Sequence, residues 1–178
     1  MIARGLRRFQ SFQKAVVPDL SYGYDELQPV ISTDILEVHH AKHHQTYVNN
    51  LNAAIEQLVE AQETGQHEKL SNLGQVIKFN GGGHVNHSIY WENLANPNKE
   101  GGDLPGPESP LTKAINETWG SYENFIQAFN TKTAAIQGSG WGWLALEPKS
   151  GRLSIQETPN QDIISGQGYH PLLGNKLI

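Results

Sequence analysis

Residues 76–94 read VIKFNGGGHVNHSIYWENL. The reading of this stretch decides the architecture, because Gly81, Gly82 and Gly83 interrupt an otherwise helical pattern. An interior glycine costs a helix roughly 1 kcal/mol relative to alanine, so local rules alone break the helix here. Such glycines usually answer to the close approach of another backbone or a ligand. Directly after them stand His84 and His87, an i, i+3 pair flanked by Asn86, Ser88, Tyr90 and Trp91. Two histidines make a poor metal site by themselves, since three or four donors are normal.

The partner stretch lies upstream. Residues 36–47, LEVHHAKHHQTY, hold four histidines in six positions. Ser32 is a good N-cap and Asp34 suits the first turn, which predicts a helix from near Ser32 to about Asn52. Ala53 to Leu73 reads as a second helical stretch, open to a break around Gly65. On an α-helix Ile35, His39, His43, Tyr47 and Leu51 recur at steps of four and share one stripe. His40 and His44 lie about 100° around from it. The His39 stripe is apolar at both ends and is expected to be the buried face. A buried imidazole serves either as a hydrogen-bonded core residue or as a metal ligand. The spacing leaves both open.

The flanking segments set the domain plan. Pro18 and Pro29 exclude helix from PDLSYGYDELQPVIS. NPNKEGGDLPGPESP, residues 96–110, is a linker by composition. Ser109 followed by Pro110 starts a helix through about Trp119, and Ser121 caps the next, in which Tyr122, Phe125, Ile126 and Phe129 recur at helical spacing. After residue 140 the period changes: WGWLALEP and GRLSIQET alternate around PKSG, a β-hairpin, and HPLLG adds a short third strand. The expected class is α+β, a helical hairpin followed by an α/β domain with a three-stranded antiparallel sheet.

Composition narrows the chemistry. The chain has 178 residues, 37% of them hydrophobic, and no cysteine, so disulfides and thiolate chemistry are excluded and any metal is held by nitrogen and oxygen. A net charge of -5 argues against a nucleic-acid partner. No run approaches the roughly 18 to 20 apolar residues of a membrane span. The first residues differ: Arg4, Arg7, Arg8 and Lys14 precede any acid, with Ile2, Leu6 and Phe9 on the opposite helical face. This is the pattern of a mitochondrial transit peptide, expected over residues 1–17, with a solvated basic tail as the alternative.

Taken in order, HHAKHHQTYVNNLN, KFNGGGHVNHSIYWENL, QGSGWGWLAL and PNQD resemble the iron/manganese superoxide dismutase family, over about residues 18–174. The resemblance implies a helical hairpin over 18–95, the linker 96–110, a C-terminal α/β domain over 111–178, and a helix that continues through the three glycines. It implies His39 and His87 as metal ligands, His43 and Tyr47 as a gateway that relays protons, and Gln161 as the partner of metal-bound solvent. Trp141, Phe79 and Trp143 would form aromatic walls, and Asn86 would support the site. Glycine in the GGGH segment together with Gln161 resembles the manganese branch more than the iron branch. The implied activity converts superoxide to dioxygen and, with two protons, to hydrogen peroxide, in a homodimer or homotetramer of the mitochondrial matrix. His40, His44, His67 and His84 receive no ligand role and read as structural or solvated, His40 and His44 as bystanders.

The resemblance stops at Gly174. The family continues with a segment close to D-x-W-E-H-A-Y-Y that supplies two further ligands, whereas this chain reads NKLI. Lys176 falls on the aspartate position and Ile178 on the tryptophan position. The expectation is a C-terminally truncated chain with an incomplete site and weak or absent turnover. Asp162 matches no ligand position, and His170 is a remote substitute. The competing expectation is a non-catalytic structural subunit, for example one associated with the mitochondrial ribosome.

Overall fold

The protein is described here by a computed structural model covering residues 12–96, 98–99 and 102–177. Residues 1–11, most of the expected leader, lie outside the described residues. Ala15 is already tied down, its backbone N–H donating to Asn52 Oδ1 and its carbonyl accepting from Asn52 Nδ2, both at 2.9 Å.

Ser32 caps the first helix as its spacing predicts, its hydroxyl accepting from the Ile35 N–H at 3.4 Å. The helix has three parts: α1 (Thr33–Glu37), a π-helical segment (Val38–His44) and α2 (Gln45–Glu63). The chain turns at Gly65, whose φ of 69° suits glycine. It returns as α3 (His67–Glu92). The stretch expected over Ala53–Leu73 is therefore the end of α2 and the start of α3, divided at Gly65.

Helix α3 runs through all three glycines, where local rules break it. A methyl group on Gly82 would lie 1.9 Å from the Gln161 carbonyl oxygen, and one on Gly83 would lie 2.5 Å from the Tyr47 ring. Helix propensity loses here to close packing on two sides.

Beyond the linker, Ser109 and Ser121 cap α4 (Pro110–Trp119) and α5 (Tyr122–Ala134), accepting from Thr112 and Asn124 N–H groups at 3.0 and 3.2 Å. Strands β1 (Gly140–Glu147), β2 (Arg152–Pro159) and β3 (His170–Leu177) form an antiparallel sheet in the order β2-β1-β3. The third strand is longer than HPLLG and carries Asn175 and Lys176 within it. Being central, β1 is buried on both faces from Gly140 to Ala145, while β2 turns Leu153 and Ile155 inward. These two, with Leu144, meet Ile115, Phe125 and Phe129 of α4 and α5 in the C-terminal core. A second apolar cluster, Trp141, Trp143, Ala145 and Ile164, faces α3 through Ile89 and Tyr90.

Candidate metal centre

The π-helical segment alters the histidine faces. Its hydrogen bonds span i to i+5, so each residue advances less around the axis than in an α-helix. The buried face runs through Leu36, His44, Val48 and Leu51. Ile35 is 63% exposed and His43 is exposed, so the expected burial of the whole His39 stripe is wrong; the stripe sits at the edge of the buried face.

His44 is accordingly structural, the first of its two expected readings, and not solvated. It is fully buried, and the Trp91 indole N–H donates to its Nδ1 at 2.9 Å. That bond leaves the proton on His44 Nε2, which donates to Nδ1 of His84 at 2.8 Å. Burial, chiefly, lowers the pKa of His44 to about 3. His40 is structural as expected: its Nε2–H donates to the Pro18 carbonyl and its Nδ1 accepts from the Tyr24 hydroxyl, both at 2.9 Å. This pair ties the N-terminal extended segment to the helix.

His39 and His87 come together from the two arms of the hairpin, their rings edge to face with centroids 5.0 Å apart. The Nδ1–H of His87 donates to the Gly83 carbonyl at 2.7 Å, which leaves the Nε2 lone pair free to bind. Nε2 of His39 is buried and has no hydrogen-bond partner. Burial, followed by the charge of Lys176, lowers His39 to about 4. Burial lowers His87 to about 3, against the opposing Gly83 bond. Both imidazoles are neutral at ordinary pH, the form that binds metals.

The other expected residues surround this pair. Between ring centroids, Tyr47 lies 5.1 Å from His87 and 5.9 Å from Phe79. Burial raises the Tyr47 phenol above its usual pKa while the Gln161 amide acts against the shift. Trp141 meets the His87 ring at 87° and 5.1 Å, and its indole N–H donates to Gln161 Oε1 at 3.1 Å. Asn86 donates to the Gln161 and Asp162 carbonyls at 3.3 and 3.4 Å, fixing the β2 end against α3. His43 and His39 line an open cavity of about 380 Å³ with Asp34, Ile35 and Val38. Trp143 stands one layer back, stacked on Trp141 and bonded to Thr158.

Sequence reasoning undervalued Tyr90 and Trp91, whose rings stand 5.6 and 4.9 Å from His39. The signal was the seven-residue step from His84 to Trp91, which places both on the α3 face toward His44.

An orphaned imidazole nitrogen beside a second free lone pair suits a cation. The set nevertheless falls short: among the described residues no three His, Cys, Asp or Glu side chains converge on a metal position. Asp162 pairs with Lys78 at 2.8 Å, and His170 is exposed at the far end of β3. The Lys176 ammonium stands 3.5 Å from His87 Nε2. Two nitrogens and an ammonium do not make a redox metal site.

Comparison with known proteins identifies the family. The sequence model described as "Iron/manganese superoxide dismutases, alpha-hairpin domain" matches residues 15–95, and the one described as the C-terminal domain of the same enzymes matches residues 107–177. The chain belongs to the iron/manganese superoxide dismutase family. Its relatives include "Superoxide dismutase [Fe]" of Tetrahymena pyriformis, 54% identical over 86% of this chain and 79% of the relative. "Superoxide dismutase [Mn]" of Chlamydia muridarum is 50% identical over 92% of this chain and 79% of the relative. "Superoxide dismutase [Mn], mitochondrial" of Aspergillus fumigatus is 51% identical over 86% of this chain and 73% of the relative. Iron and manganese both occur in the names of these relatives.

Proposed function

We propose that this chain carries one half of a superoxide dismutase site, with His39 and His87 as the donors for a manganese ion in the mitochondrial matrix. The observation that carries the reading is the meeting of two neutral, buried imidazoles from the two arms of the hairpin, one with an orphaned nitrogen. In the family, the metal supplies the one-electron cycling that turns superoxide into dioxygen and hydrogen peroxide. Tyr47 and Gln161 hold a phenol and an amide beside His87, while Trp141 and Phe79 narrow the pocket and limit it to small solutes. His43 stands at the mouth of the cavity that reaches His39, which suits a gate. Manganese and the mitochondrion follow the majority of the relatives and the Arg-rich first residues. A homodimer or homotetramer follows the family's usual assembly.

Turnover by this chain is weak or absent in this reading, because among the described residues two nitrogens face the position and Lys176 adds positive charge there. Metal content measured on the purified protein, together with a superoxide-consumption assay, tests the proposal. Near-stoichiometric manganese with rates like those of intact relatives would overturn the low-activity reading; loss in His39→Ala and His87→Ala of whatever weak metal affinity the chain retains supports the donor assignment.

The Lys176–His87 contact favours one other reading, a non-catalytic structural subunit, for example on the mitochondrial ribosome. Co-sedimentation with ribosomes at physiological salt distinguishes the two.

A further inference from the structure

The residue that enters the His39–His87 site from the sheet is chosen by strand register. In an antiparallel pair, directly opposed residues present their side chains to the same face. Trp141 opposes Lys176 and Trp143 opposes Gly174. Trp141 faces His87, so position 176 faces it too. A side chain at position 174 would run into the Trp143 ring, at 2.3 Å.

This register depends on a bulge. At the start of β3, beside the β1–β2 turn, His170 opposes Leu146 and Pro171 opposes Ala145, but Leu173 opposes Leu144. Leu172 is the extra residue, and it is 40% exposed. Continued without the bulge, the pairing would set Asn175 opposite Trp141 and turn Lys176 to the other face. One inserted residue reverses every side chain that follows. The Gly174 N–H donates to Asn93 Oδ1 at 2.8 Å, which pins the shifted register to the end of α3.

The consequence is an ammonium delivered to the His87 imidazole, beside the unpartnered His39 Nε2. Lys176 Nζ is 3.5 Å from His87 Nε2, long for a hydrogen bond but in direct contact. The Lys176 side chain also lines, with His39, Tyr90 and Trp91, a cavity of about 210 Å³. Asp162, the acid on the turn after β2, is committed to Lys78. No three metal-ligating side chains converge there among the described residues.

We infer that Lys176 is a tethered cation that takes the metal's place between His39 and His87, so the chain's own ammonium excludes divalent ions from the pair. This rests on the assignment of His39 and His87 as the donor pair. A second cation beside the ammonium meets direct repulsion in a half-buried site, where charges are screened less than in water. Replacing the lysine by a neutral side chain removes that repulsion, and a carboxylate delivered by the same register adds a third donor.

Cobalt(II) titration of the full chain, followed by visible absorption, tests this with a readout independent of activity. Circular dichroism establishes that each variant is folded. Lys176→Met removes the charge while keeping the bulk, and Lys176→Asp reverses it. Both are expected to bind Co(II) at least about tenfold more tightly than the wild type, with Lys176→Asp the tighter. Adding His87→Ala to Lys176→Asp abolishes the gain. Wild-type binding as tight as that of Lys176→Met, and lost in His87→Ala, would overturn the tethered-cation inference while leaving the donor pair standing. Absence of binding in folded Lys176→Met and Lys176→Asp alike would overturn the donor pair, and the inference with it.

Discussion

Gly82 packs against the backbone of Gln161 so closely that a methyl group in its place would stand 1.9 Å from the carbonyl oxygen. The contact joins α3 to the turn that presents Gln161, so it sets how far the helical hairpin lies from the sheet. Gly82→Ala must separate the two. The expected loss is about 1–3 kcal/mol, the usual size for overpacking in a close-packed interior. Its neighbour is the control: a methyl on Gly81 meets only Leu51 Cδ1 at 3.5 Å, an ordinary contact. Gly81→Ala is expected to be neutral or to stabilise the helix by up to about 1 kcal/mol. Urea denaturation of the two variants checks the contrast, and equal losses would show that the spacing is not set at Gly82.

Trp91 and His44 give a second prediction. Trp91→Phe removes the donor to a fully buried nitrogen, and His44 Nδ1 then has no partner. An unsatisfied buried acceptor costs about 1–3 kcal/mol. Thermal unfolding is expected at a lower temperature. An unchanged midpoint would mean that the Trp91–His44–His84 chain contributes nothing to holding the hairpin.

The buried histidines also fix a pH dependence. In the folded chain the pKa of His44 and His87 is lowered from 6.5 to about 3, and that of His39 to about 4. Below pH 6.5 the unfolded chain therefore binds more protons than the folded one. The stability is fully present above 6.5 and is lost as pH falls toward the folded values. Glu26 and Glu123 are also lowered, from 4.5, so they enter only at more acid pH. Urea midpoints of the metal-free protein should fall steadily between pH 6.5 and 4.5. A flat or rising midpoint across that window would contradict burial of the neutral imidazoles.

Much of this was readable in the residues. Ser32, Ser109 and Ser121 marked three helix starts, and the change of period after residue 140 marked the sheet. These signals are local, and the structure follows them. The course of α3 through Gly81–Gly83 was not legible from propensity, because its cause lies in Tyr47 and Gln161, 36 and 79 residues away in sequence from the glycines they meet. The burial of His44 in place of the His39 stripe was hidden for another reason. Steps of four assume an α-helix, and a π-helical segment changes the angle per residue. The aim of Lys176 depends on one bulge at Leu172, which strand alternation alone cannot reveal.

The most direct measurement is diffraction from crystals grown with manganese, with anomalous maps recorded at the manganese edge. The account predicts no manganese peak between His39 and His87 in the wild type, with the Lys176 side chain lying there instead. In Lys176→Asp it predicts a peak within bonding distance of both imidazoles. A full manganese peak joining His39 and His87 in wild-type crystals, with Lys176 turned away, would contradict it.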